Sequence, residues 1–412
     1  MEAIVECCCG LDVHQAQVTA CLLVGRAGQR AKKEVRKFGT FTRDLLALRD
    51  WLRESGCTTV AMESTGIYWR PVYAILEDDF ELVVGNAFHI KNVPGRKTDV
   101  MDAEWIADLL RHGLIAKSFV PPKPIRELRD LMRYRCKLVE SRSSERNRLL
   151  KLLETANIKV SSVATNVFGK SGMAMLEAMA KGEAKPAVLA NLAQGLLRKK
   201  IDALEGALEG RIDEHHRFVL RLQLDRLKQV DADLAKLDDY VDARLEPYRS
   251  AHDALTKIPG IGEHTAVAIL SEVGSDVSAF PTAAHFAAWA GVCPGNNESA
   301  GKMKRAGARK GNRHLRKALV EASLGAVRKS GSYLKAKYYR LKARLGVQRA
   351  AMAIAHKLAI AIFQVLATGQ PYVDLGEAYL DKLASKRTTK SLVRRLEALG
   401  FQVQLQETPA PS

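Results

Sequence analysis

Two hydrophobic periods alternate over residues 1–115, one of about two and one of about 3.6. Ile4 to Leu11 is mostly apolar, broken by Glu6, and predicts a largely buried strand. Within Gln17 to Val24, the apolar Val18, Ala20, Leu22 and Val24 alternate as in a second strand. Gly25 to Gly28 reads as the turn leading to a third short strand near Val35 to Phe38. Phe41, Leu45, Leu48 and Leu52 are three and four apart and predict a helix. Thr58 to Met62 predicts a strand with Glu63 at its end. Ile67 to Leu76 predicts a helix and Glu81 to Val84 a strand. A Pro/Gly/Lys-rich loop, Asn92 to Thr98, then leads to a helix over Val100 to Leu110. An α/β unit is expected over residues 1–118.

Beyond residue 125 the strand period disappears. Leu220, Leu224, Leu227, Val230, Leu234, Leu237 and Val241 step by threes and fours, close to a heptad seam. Residues 119–250 therefore read as long antiparallel helices, either a coiled coil used for oligomerisation or a hairpin packed within one subunit. Residues 251–370 read as a third, mainly α unit, with an apolar helix over Thr265 to Val273. Residues 371–412 read as a partly disordered extension, since Gln404 to Ser412 is mostly polar with two prolines.

Charge changes this picture. The 412 residues hold 64 Lys or Arg against 46 Asp or Glu, a net charge of +18, which favours a polyanionic partner. The excess is local: Ala300 to Arg349 has 16 cations and one acid, Glu321. Such a single-signed run repels itself unless an anion binds it. Lys302, Lys304, Arg305, Arg309, Lys310, Arg313, Arg316 and Lys317, with Asn312, are candidate nucleic-acid contacts. Leu315, Leu319, Ala322 and Ala326 would form the opposite, apolar face of their helix. No uninterrupted apolar run reaches about 18 residues, so neither a spanning helix nor a membrane partner is expected. Seven cysteines without paired CxxC motifs read as buried reduced thiols, and the expected location is the cytoplasm.

Four carboxylates stand out. Asp12 follows one predicted strand, Glu63 ends another, and Asp99 and Asp102 lie three apart at a helix start. Strand ends converge at one sheet edge, and an i, i+3 pair faces one way. Four clustered carboxylates repel unless cations neutralise them, and oxygen donors suit Mg²⁺ or Mn²⁺. The plainer alternative makes Asp12 a turn residue and Asp99 a helix cap with Asp102 in the first turn. Farther on, Lys257-Ile-Pro-Gly-Ile-Gly262 resembles a helix-hairpin-helix turn, in which Gly260 and Gly262 let backbone N–H groups approach a phosphate. A simple glycine-rich connection is the alternative. Ser299 lies in a glycine-rich segment followed by cations and is either a turn residue or a nucleophile.

The stretches Gly10-Leu-Asp-Val-His14, Met62-Glu-Ser-Thr-Gly-Ile-Tyr-Trp69 and Pro94-Gly-Arg-Lys-Thr-Asp-Val-Met-Asp-Ala103 resemble the motifs of the insertion-sequence transposase family numbered one hundred and ten. The resemblance extends to Gly291-Val-Cys-Pro-Gly through Ser299 and to Gly307 through Arg316. It implies an RNase H/RuvC-like fold with a DEDD metal site at Asp12, Glu63, Asp99 and Asp102. It also implies a C-terminal transposase domain with Ser299 as nucleophile. DNA ends and target, a structured guide RNA and a homo-oligomer with composite sites would be the partners. A metal-dependent junction resolvase or nuclease, and a non-enzymatic architectural DNA-binding protein, are the two competing readings.

Overall fold

A computed structural model describes the chain except residues 1–2, 27–28, 65, 88–89, 91–101, 296–297, 300–301, 304–306, 384 and 406–412. Contacts divide it into two units, Met1–Val120 and Pro121–Ser412.

The first unit is built on a five-stranded mixed sheet in the order β3-β2-β1-β4-β5. Its strands are β1 (Cys7–Val13), β2 (Gln17–Val24), β3 (Lys32–Gly39), β4 (Thr59–Glu63) and β5 (Glu81–Gly85). The first three pair antiparallel, whereas β1, β4 and β5 run parallel. The expected β1 began too early, because Ile4 and Val5 instead place their N–H groups near the carbonyl of Arg111. Helices α1 (Thr42–Glu54) and α2 (Trp69–Leu76) go with one face. There Leu11, Val18, Leu22 and Met62 form a core with Leu48, Leu52, Val72 and Leu76. Helix α3 (Asp102–Arg111) covers the other face, where Cys8, Cys21 and Ala61 meet Ala103, Ile106 and Ala107.

Alternation of side chains along a strand sorts these two cores. The residues of β1 facing α3 are Cys8, Gly10 and Asp12 by that alternation. Gly10 is the point of closest approach: a Cβ built there would fall within 3 Å of backbone atoms of Ala103 and Ala107. Small residues therefore let helix backbone rest on strand backbone. The cysteines serve this packing. Cys8, Cys9, Cys21 and Cys57 are buried free thiols. Burial pushes Cys8 and Cys57 up to about 12 and Cys21 to about 11, which keeps them neutral.

In the second unit, α4 (Lys123–Thr155) and α5 (Glu214–Leu245) form a long antiparallel hairpin. Arg135 pairs with Asp238 at 2.6 Å and Arg142 with Asp231 at 3.4 Å, which sets its register. The predicted seam exists, but its occupant is the same chain. Leu220, Leu224 and Leu227 join Leu149 and Leu153, and Val230 and Leu234 join Leu138. Within the chain, these seam residues are buried against α4 and the core at the hairpin's end. Each such leucine withdrawn from water contributes about 1.5–3 kcal/mol. Short helices within residues 160–208 close a core at the hairpin's far end.

The remaining helices include α6 (Arg249–Thr256), α7 (Glu263–Val273), α8 (Ala283–Trp289), α9 (Arg313–Ala326), α10 (Tyr333–Leu345) and α11 (Val347–Thr368). The last has 22 residues and is long and apolar enough to cross a membrane by length and composition alone, although His356 and Lys357 interrupt its apolar run. It is, however, packed against α8, α9 and α10, burying Ile354, Leu358 and Ile362. The extension expected to be partly disordered contains a helix over Ser385–Ala398.

Gly10→Ala should destabilise the chain by about 1–3 kcal/mol through overpacking of α3 on β1. Urea denaturation followed by circular dichroism measures this, and a wild-type midpoint would contradict the close approach.

Candidate functional site

Register brings two of the carboxylates together. Leu11 of β1 pairs with Met62 of β4, so Asp12 and Glu63 stand one step farther on neighbouring parallel strands. Both leucine and methionine enter the α1/α2 core, and alternation directs Asp12 and Glu63 to the α3 face. Asp102 opens α3 on that same face. Asp99 lies outside the described residues.

Electrostatics agree with this placement. Burial chiefly raises the Asp12 carboxyl above its ordinary range. His14 opposes the rise, with Nε2 at 3.0 Å from Asp12 Oδ2. The negative charges of Asp102 and Glu63 add to it. Three half-buried or exposed acids thus share one neighbourhood with a histidine. Among the described residues, no three His, Cys, Asp or Glu side chains close into a formed metal sphere. The donor set still suits a hard divalent cation, because its carboxylate oxygens repel one another until a cation is shared.

The second candidate lies on a tongue absent from the sequence reading, which had only a loop there. Backbone pairing runs through Asn312 N–H to Trp289 O (2.9 Å), Arg309 N–H to Cys293 O (3.2 Å) and Gly295 N–H to Gly307 O (2.8 Å). It continues through β6 (Glu298–Ser299) and β7 (Lys302–Met303), where Ser299 pairs with Lys302. Among the described residues these pairings run antiparallel, with the Trp289–Asn312 pair at the base and the Ser299–Lys302 pair farthest from it. The side chains of Ser299 and Lys302 are outside the described set, as are Lys304 and Arg305 entirely.

A buried charge network anchors the base of this tongue. Glu272, whose side chain is 3% exposed, receives Arg133 Nε and Nη2 at 2.9 Å each and Arg129 Nε at 3.2 Å. Asn312 Nδ2 donates to Glu272 Oε2 at 2.6 Å. Meanwhile Asn312 Oδ1 accepts from the N–H groups of His314 (3.0 Å) and Leu315 (3.1 Å), capping α9. Burial alone would raise the Glu272 carboxyl, but Arg133, Arg129 and Asn312 hold it below the usual range. Arg316 Nη2 donates to the carbonyl of Arg309, and its guanidinium packs where a Cβ on Gly291 would stand. Asn312 and Arg316, expected to contact nucleic acid, are thus both engaged in holding the tongue.

The other expected contacts divide more simply. Arg309, Lys310, Arg313, Lys317 and Lys257 are exposed. As expected, Leu315, Leu319, Ala322 and Ala326 are buried along α9. Gly262, which precedes α7, has open space where a Cβ would lie. Gly260 has φ +86°, and its open side is filled by the backbone of Ala322 and Ala326 in α9. Sequence reasoning missed Glu272 altogether; an acid near the end of an apolar helix was its one signal.

Comparison with known proteins adds an independent line. A DEDD-type transposase model of IS110 elements matches residues 9–158, and a model described as transposase IS116/IS110/IS902 family matches residues 252–339. The first span contains all four candidate acids, the second Ser299 and α9. The chain is 28% identical over 286 residues to a probable family 20 transposase of Pseudomonas aeruginosa, covering 68% of this chain and 75% of that protein. It is also 39% identical over 83 residues to an insertion element IS110 uncharacterized 43.6 kDa protein of Streptomyces coelicolor, covering 19% of this chain and 20% of that one.

Glu272→Gln should remove about 3 kcal/mol of stability at neutral pH by leaving two arginines without their carboxylate. The folded value of Glu272 is depressed, so its contribution is complete above the unfolded glutamate value of about 4.3 and fades as pH falls through the folded value. Urea melts of both chains should therefore differ at pH ~7 and converge at the acid end. A gap independent of pH would contradict the network.

Proposed function

The chain belongs to the IS110 family of insertion-sequence transposases, and from that premise we propose that it cuts and rejoins DNA with two chemically distinct groups. The observation that carries this reading is the convergence of Asp12, Glu63 and Asp102 on one face of the sheet, where burial, joined by the charges of Asp102 and Glu63, raises the Asp12 carboxyl. The order β3-β2-β1-β4-β5, with β1 central and antiparallel to β2, supports an RNase H/RuvC-like unit. In this reading Asp12, Glu63, Asp99 and Asp102 hold Mg²⁺ or Mn²⁺. When bound, the cation supplies charge neutralisation and Lewis-acid activation at the phosphodiester.

The protein's own groups set the rest. His14 holds Asp12 in place through its 3.0 Å contact. Ser299 Oγ attacks the scissile phosphorus, so an O–P bond to serine forms as the bond to the leaving strand breaks. The serine proton is released, and the leaving oxygen departs as a strand hydroxyl once protonated. A second strand hydroxyl reverses these changes and rejoins DNA without another energy source. Exposed Arg309, Lys310, Arg313 and Lys317 contact phosphates along the tongue and α9. Lys257 and the open Gly262 before α7 offer a further phosphate contact. A guide RNA and assembly into an oligomer follow from the family reading, and the net charge of +18 is consistent with the former.

Asp12→Asn should abolish strand cleavage while leaving DNA binding. Ser299→Ala should abolish any protein–DNA adduct that survives denaturation, read by gel mobility of labelled DNA. Normal recombination by Ser299→Ala would remove the nucleophile and leave a metal-dependent nuclease. Full activity of Asp12→Asn would remove both enzymatic readings and favour an architectural DNA-binding protein.

A further inference from the structure

A cationic surface bearing an exposed aromatic ring lies on α10 (Tyr333–Leu345). The helix carries Lys335, Lys337, Arg340, Lys342 and Arg344, and no acid occurs between Glu321 and Asp374. Ser332 caps it, its Oγ accepting from the Lys335 N–H at 3.2 Å. Leu334 and Tyr338 bury the inner side. One flank is occupied: Tyr333 meets Tyr379 edge-on, and Arg340 pairs with Asp381. The outer side is different. Tyr339 is 53% exposed, and Lys342 Nζ stands 5.7 Å from its ring centroid. Tyr338 meets the same ring edge-on at 5.4 Å, which fixes its orientation. Spacings of four and three place Lys335, Tyr339 and Lys342 on one stripe, followed by exposed Arg344 and Arg349.

Cations without acids select an anionic ligand, and a held, solvent-facing ring selects one with a flat π face. An unpaired nucleic-acid segment offers both, whereas a duplex keeps its base faces stacked inside. An acidic peptide supplies charge but no regular series of planar faces. We propose that the Lys335–Tyr339–Lys342 stripe binds an unpaired nucleic-acid segment, with one base stacked on Tyr339 and the flanking phosphates on Lys335 and Lys342. The site requires nucleic acid as the chain's ligand but neither the metal acids nor Ser299.

Fluorescence anisotropy of the full chain, with chelator present, tests it using labelled oligothymidine, oligouridine and a DNA duplex of equal length. Tyr339→Ala should weaken single-strand binding about tenfold, the equivalent of one lost stacking contact, and leave duplex binding unchanged. Tyr339→Phe should bind single strands as the wild type does, since the ring remains. A larger effect on oligouridine assigns the site to RNA, and a larger effect on oligothymidine to a displaced DNA strand. Unchanged single-strand affinity, or an equal loss on the duplex, would overturn the proposal. Because chelator removes divalent cations from every arm, failure of the metal reading is separable from failure of this one.

Discussion

The close approach of α3 to β1 at Gly10 is the constraint on which the first unit depends. A strand residue normally holds a helix away from its backbone by its own side chain. At Gly10 that spacer is missing, and the backbone of Ala103 and Ala107 occupies its place. The consequence is positional. Asp102 begins the helix that Gly10 admits, and Asp12 lies two residues beyond Gly10 on the same strand face. Parallel pairing of β1 with β4 then brings Glu63 alongside. Three acids from separate parts of the chain are assembled by backbone packing. The charges of Asp102 and Glu63 act on the Asp12 carboxyl because the fold places them there.

The second unit uses the same device with the opposite charge. Gly291 admits the Arg316 guanidinium, and a Cβ on Gly311 would meet Gly291 and Trp289. Close packing at the base holds the two arms of the tongue together, and Glu272 ties that base to α4. A buried carboxylate between two arginines carries a large desolvation penalty, so it adds little net stability over an apolar replacement. Its effect is specificity of position: Asn312 can cap α9 and bond Glu272 only if the tongue enters the helix at one angle. Ser299 is consequently carried by a paired hairpin rooted in a fixed network.

Local patterns were legible where burial follows period. Val18, Ala20 and Leu22 marked β2 with its observed bounds, and Leu315, Leu319 and Ala322 marked the inner face of α9. Convergence of Asp12, Glu63 and Asp102 was also legible, because strand ends and helix starts have restricted positions. What a periodic stripe cannot reveal is the partner that covers it. Leu220 through Val241 reads alike against a second subunit and against α4. The tongue was hidden because Gly291 to Asn312 is rich in glycine and polar residues and shows no apolar–polar alternation that would mark a strand. Asn312 and Arg316 were counted with the cationic surface since composition does not distinguish a solvated arginine from one folded over a glycine. Asp99, the fourth acid, falls outside the described residues.

The central claim is that the fold gathers these acids to hold a divalent cation. Electron paramagnetic resonance of Mn²⁺ titrated into the full chain tests it without requiring DNA or turnover. Wild-type protein should remove free Mn²⁺ signal with saturable binding that tightens as pH rises through the elevated Asp12 value, since protons and metal compete for that carboxylate. Asp12→Asn and Asp102→Asn should each weaken that binding at least about tenfold, as loss of a charged ligand implies. Equal Mn²⁺ affinity in all three chains would contradict the account.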